Sequence, residues 1–272
     1  MSPSLPPHSN PPDTVLGRIA AVLAAILAAA ALLLLAPHGV LDKADRAAYA
    51  VCHRIPDHTF FIAGRQLPLC ARCSGTYLGT LAGLAVLALR GRGRAGRFPS
   101  RPLLFVLAGF MLAWAADGTN SFLALLGGPQ LYPPSNTIRL VTGVLQGLAI
   151  AGILLPAFNI AFWQQPDERA SIAGWRDLAC MLAGGGLVVA AVASEWDALL
   201  YPLALLSGLA IPALLGALNA MLYVAIRRRE GTATRGGQLL GPLLIGLALA
   251  LGEIAAIGAL RDLLVARFGW PF

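Results

Sequence analysis

Seven stretches of the 272-residue chain, roughly 15–36, 71–90, 102–126, 137–162, 177–194, 198–226 and 238–260, stay apolar for about 20 residues each. A helix of that length crosses the hydrocarbon layer of a bilayer, where each backbone polar group must be satisfied within the helix. Charge is scarce to match: 57% of the residues are hydrophobic and 12% charged, against roughly a quarter charged in a soluble domain. Too little charge remains to clothe a water-facing surface. The expected fold class is therefore all-α, a polytopic transmembrane bundle of about seven helices forming a single domain over 14–272. Residues 1–13, rich in Pro and Ser, read as a disordered tail. The run 15–36 is long for a signal peptide, has only Arg18 ahead of most of it, and is followed by Ala-Pro-His where a cleavage site would need small residues. It reads as a retained first helix. Gly and Ala recur in every span, which suits close helix packing in lipid, and Pro156, Pro202 and Pro212 suggest kinks supported by neighbours.

The formal net charge is +7. Much of it lies in two short loops, one with Arg90, Arg92, Arg94, Arg97 and Arg101, the other with Arg227, Arg228, Arg229 and Arg235. Arginines in short loops mark the inner face, so the N-terminus is expected inside and the C-terminus outside, in a bacterial inner membrane. The lipid bilayer is the expected partner. No aromatic-basic readout motif accompanies the charge, which argues against nucleic acid. This orientation makes 37–70 an outer-face loop, too long for an ordinary connection and of the kind where functional residues gather. Asp42 to Arg54 has helical periodicity, with Leu41, Ala44, Ala48 and Val51 on one side suited to lying along the membrane surface, and Pro56 ends it.

That loop ends in the cluster of soft ligands. Cys52-His53 is followed after a gap by Cys70-Ala-Arg-Cys73, a CxxC motif. Three thiols and an imidazole match a tetrahedral zinc site, and Cys-x-x-Cys brings two thiolates to one metal from a single turn. Adjacent side chains diverge, so Cys52 and His53 are an awkward pair, with His58 as a substitute. Two other readings stay open: a redox or disulfide pair in which Arg72 lowers a thiol pKa, and inert thiols capping a helix. Cys180, within 177–194, reads as a small apolar filler.

A second constellation joins Asp117-Gly-Thr-Asn120 with Ser135-Asn136, Arg139, Thr142-Gly143 and Gln146-Gly147. An ionised group at membrane depth needs a partner, and Arg139 is the one expected for Asp117. The group is either a buried pair that fixes packing or a polar pocket for a small molecule or lipid headgroup, with Arg139 as a fork and Asn120 and Asn136 as amide donors. Glu195 and Asp197 emerge at the same face as a solvated turn. Glu253, amid Leu, Ala and Ile, is a candidate intramembrane proton site, either protonated and structural or part of a transport path. Phosphate-loop, serine-elbow and His-Glu-x-x-His motifs are absent, and no catalytic residue is assigned.

Cys52-His53-Arg54-Ile55-Pro56, Phe60-Phe61, Gly64 and Pro68-Leu69-Cys70-Ala71-Arg72-Cys73-Ser74-Gly75-Thr76-Tyr77-Leu78-Gly79 resemble the signature of an uncharacterised family of predicted prokaryotic membrane proteins, catalogued as domain of unknown function 2085. Asp117-Gly, Ser135-Asn136, Arg139 and Thr142-Gly143 resemble its second block. The resemblance covers roughly 45–150 and departs at Asp57-His58-Thr59, where the family usually has Arg-Ser. It implies the membrane class and the site, not a reaction. Three functions follow as expectations: a metal- or thiol-bearing membrane protein, a thiol oxidoreductase or headgroup-modifying enzyme, and an ion-coupled transporter using Asp117, Arg139 and Glu253.

Overall fold

The computed structural model of the chain describes residues 39–269. The expected tail 1–13 and first span 15–36 lie outside the described residues. Seven α-helices follow in order: α1 Val40–Tyr49, α2 Ala71–Leu89, α3 Arg101–Leu125, α4 Asn136–Phe162, α5 Trp175–Ala193, α6 Leu200–Ile226 and α7 Leu240–Phe268. The last six are long and apolar enough to cross a membrane, so the chain is an all-α bundle of membrane-spanning type. Large side chains such as Phe105, Leu112, Leu187 and Leu209 point outward, as expected where lipid is the solvent. Pro156 and Pro212 sit inside continuous helices.

Small residues set the central seam. In α2, Gly75, Gly79 and Gly83 recur every four residues and so share one face. That face lies on the backbone of α4. A Cβ on Gly79 would come within 2.8 Å of the Val144 carbonyl oxygen, and one on Gly75 would collide with the Leu140 carbonyl. The contact is reciprocal, because Gly143 and Gly147 of α4 meet the carbonyls of Arg72 and Thr76. The paired positions rise together along both helices, so α2 and α4 run parallel and their N-termini lie at the same end. A Thr76 hydroxyl to Gln146 Oε1 hydrogen bond of 2.9 Å crosses the seam. At α6 and α7 a similar approach places Gly246 against the Gly216 carbonyl.

The two ends of the bundle differ. At one, the strands β3 (Ala95–Arg97) and β4 (Asp167–Ala170) pair in parallel, and buried Asn159 donates to the carbonyls of Gly93 and Ala95 at 3.1 and 2.9 Å. Arg90 and Arg92 reach Asp177 at 2.9 and 3.5 Å, and Arg94 stacks 3.9 Å over the Trp163 ring. The other end carries the thiols. There α1 buries Leu41, Ala44, Ala47 and Ala48. Its apolar face lies not on a lipid surface but on α6, where Gly208 leaves room for Ala44. Strands β1 (Phe61–Ile62) and β2 (Arg65–Gln66) form a hairpin. Its two-residue turn, Ala63-Gly64, has both φ values positive, at 50° and 70°, the geometry that matches strand twist. Asp197, expected to be merely solvated, accepts the Ala63 N–H at 3.1 Å and anchors that turn.

The last helix continues eight residues past the expected end at 260. Arg261 and Asp262 lie in this added length, where charged residues would ordinarily face water or headgroups. Instead Arg261 turns inward, donating to the carbonyls of Tyr49 and Cys52, the latter at 2.9 Å, and Asp262 pairs with Arg46 at 2.6 Å.

Candidate functional site

The N-terminus of α2 carries the CxxC motif, with Cys70 as N-cap and Cys73 in the first turn. Helical spacing turns both sulfurs the same way. Cys52 arrives from the chain leaving α1, where its N–H is held by the Ala48 carbonyl at 2.9 Å. The three sulfurs lie within 4.8 Å of one another, all as unpaired thiols. Arg54 adopts a left-handed φ of 51°. That turn brings its N–H to the Cys52 sulfur, and the Cys70 N–H donates to the same sulfur at 3.3 Å. The Cys70 and Cys73 thiols also hydrogen-bond Cys52, and together these donors hold the Cys52 thiol far below its ordinary range. Cys70 is pushed up to about 11, chiefly because its proton is held by Cys52.

His53 does not join the trio. It is exposed, and its ring nitrogens fall outside the group of converging ligand atoms, because neighbouring Cβ vectors diverge. His58, in a 3₁₀ turn over Pro56–His58, is half-buried. Its imidazole is pushed toward the neutral form by burial first, then by the charges of Arg139 and Arg72. Cys180 faces outward from α5 rather than filling the interior.

Arg72, expected as an activator of the thiols, points elsewhere. Its Nη2 reaches Asp117 Oδ2 at 2.6 Å and the Ser121 hydroxyl at 2.8 Å, while its Nε donates to the same carboxylate at 3.1 Å. Asp117 is 1% exposed and also accepts the Tyr132 hydroxyl at 2.8 Å and that of Thr142 at 3.2 Å. The expected Asp117–Arg139 pair is therefore an Asp117–Arg72 pair. The close α2–α4 seam places Arg72 beside α3, nearer the carboxylate. The Tyr132 phenol is pushed up by burial and by its bond to Asp117.

Both amides serve the protein itself. Asn120 accepts the Leu131 N–H at 2.7 Å and donates to the Tyr132 carbonyl at 3.0 Å, bracing loop 126–135. Asn136 donates to the Asp57 carbonyl at 3.1 Å and accepts from Arg139 Nη1 at 2.9 Å. Thr59 donates its hydroxyl to the Ile55 carbonyl and accepts from Gln66. Glu253 is exposed on α7 and accepts from Asn219 of α6 at 3.0 Å, so its bond goes to neither polar cluster. Sequence reasoning missed Ser121 and Tyr132. Ser121 is four residues after Asp117 and so on the same helix face, a signal that was available. Tyr132 sits in an irregular loop with no periodicity to reveal it.

Fold and site together define a polytopic helical membrane protein with a thiol trio at one end. Residues 52–153 match the model of a family described as predicted membrane protein, domain of unknown function 2085. An uncharacterized protein of Methanocaldococcus jannaschii is 29% identical over 108 residues, covering 40% of this chain and 64% of that protein. One of Methanothermobacter thermautotrophicus is 31% identical over 101 residues, covering 37% of this chain and 81% of that protein. The chain belongs to this family. No solved structure matches it. The matched segment contains the thiol trio, Arg72, Asp117 and Arg139, and leaves α5, α6 and α7 outside.

Proposed function

We propose that the protein holds a thiophilic divalent metal, zinc by the chemistry of the donors, on Cys52, Cys70 and Cys73, fastening the 52–70 loop to the start of α2. The observation that carries this is the convergence of three sulfurs within 4.8 Å. Two backbone N–H groups aimed at one of those sulfurs add to it. Thiolates are the soft ligands such a metal selects. His53 and His58 both lie outside the group of converging ligand atoms, so three protein ligands are offered and the fourth position falls to solvent. The arginine-rich loops at the opposite end support a placement with the thiol end outward, in the bacterial inner membrane.

The test is elemental mass spectrometry with a thiol count on the same purified sample, with and without exposing intact spheroplasts to a membrane-impermeant chelator. About one zinc per chain, lost to the chelator and lost in Cys70→Ser, is expected. Metal that resists the impermeant chelator but yields to a permeant one would reverse the orientation. A metal-free protein lacking two free thiols would replace this reading with a disulfide.

A further inference from the structure

At the thiol end one buried cation has no ion-pair partner. Arg139, on the first turn of α4, is 5% exposed, and among the described residues no carboxylate lies within salt-bridge distance of it. Its Nη1 donates to Asn136, an uncharged amide, and its Nε is buried without an acceptor. Asp117 is taken by Arg72 at 2.6 Å, and the neighbouring His58 carries no negative charge to offer. The backbone adds to the excess. The seam at Gly75 and Gly143 holds the first turns of α2 and α4 together, so two long helices aim their positive N-terminal ends at one region. A buried guanidinium without a counter-charge is costly, and its planar fork fits an oxyanion.

We propose that Arg139 receives a phosphate group between the N-termini of α2 and α4, beside the thiol trio. Inorganic phosphate and the phosphodiester of a lipid headgroup share the chemistry that Arg139 and the helix ends would recognise. The site does not depend on the metal reading, since none of its groups is a thiol.

The full chain, purified in maltoside detergent, is titrated with inorganic phosphate and, separately, with monomeric short-chain phosphatidylglycerol, following heat release and thermal unfolding. Saturable binding of either is expected, with affinity falling about tenfold or more in Arg139→Gln. Arg139→Lys, which keeps the charge and loses the fork, should fall between. Response to phosphate assigns a free anion, and response to the lipid alone assigns a headgroup. Glu253→Gln, on α7 with its hydrogen bond going to Asn219 and to neither polar cluster, should bind as the wild type does. No saturable response to either probe overturns the proposal. So does equal affinity in Arg139→Gln, or binding abolished by loading the thiols with zinc, which would make the metal–thiolate group the counter-charge of Arg139.

Discussion

At the arginine end of the bundle, buried Asp177 gathers Arg90 at 2.9 Å and Arg92 at 3.5 Å and accepts the Ala173 N–H as well. At the thiol end, equally buried Asp117 gathers only Arg72, and Arg139 is left over. Both ends set two cations against one carboxylate, but they differ in where the surplus cation lies. Two cations share one carboxylate at the first, where Arg90 is 45% exposed and water can screen the surplus. At the second the surplus is itself buried, so water cannot do that work. One end closes the fold. The other keeps a buried cation without an ion pair among the described residues, and the three converging thiols lie there too.

The largest expected effect comes from removing each carboxylate in turn. Asp117→Asn leaves Arg72 as well as Arg139 without a counter-charge and should cost about 3–5 kcal/mol, the range for breaking a buried ion pair from one side. Asp177→Asn keeps an oxygen for the Ala173 N–H and removes the pairs with Arg90 and Arg92, the closer of which is screened by water on the Arg90 side. About 1 kcal/mol is expected. Thermal unfolding of the two variants in detergent measures the difference. Equal losses would show that the two ends are alike in their electrostatics, and the asymmetry drawn here would fail.

Much of this was legible in the sequence, and the failures are as specific as the successes. Apolar length located five of the six described spans to within a few residues, as at Ala71–Leu89, and stopped eight residues short on the last, because lipid leaves the chain little choice but helix. The thiol trio followed from Cys-x-x-Cys and one earlier cysteine. What the linear order could not carry was direction. Arg72 stands between two cysteines yet serves Asp117, since a helix turns neighbouring side chains about 100° apart. Arg139 lies at the same end as Asp117, but the carboxylate went to the arginine on the other side of the glycine seam. Arg261 lies just past the apolar run expected to end at 260, and only the packing of α7 against α1 shows it turned inward.

Arg261 gives the second test, of intermediate size. Its donors hold the Tyr49 and Cys52 carbonyls on either side of the turn that delivers Cys52, and its guanidinium lies 4.1 Å from the Tyr49 ring centroid. The helix outside the matched family segment thus braces the first thiol. Arg261→Met should cost about 1.5–3 kcal/mol, the range for hydrogen bonds to charged groups, and should weaken metal retention at the trio. Thermal unfolding together with a chelator competition reads both. Lost stability with metal retention unchanged would mean that the Cys52 turn is held by its own backbone, and that α7 contributes only packing.

The smallest effect concerns the rim of the same end. Arg65 binds Asp42 at 2.5 Å and Asp45 at 3.0 Å, and its hydrogen bond to Asp42 holds that carboxyl below the usual carboxylate range. A depressed pKa means that the folded state favours the ionised form. The stabilisation is present above the unfolded carboxylate pKa of about 3.9 and is lost as pH falls through the lower folded value. Asp42→Asn should therefore unfold slightly earlier than the wild type at pH 7, and the gap should close toward pH ~3. Because Asp42 is solvent-accessible and Arg65 keeps Asp45 as a second partner, the gap should also shrink in high salt. A gap that survives both acid and salt would mean Asp42 acts through its bond to the Gly39 N–H at the start of α1 rather than through Arg65. The order of the thiol end would then rest on helix capping and buried pairs, with no share left for its surface charges.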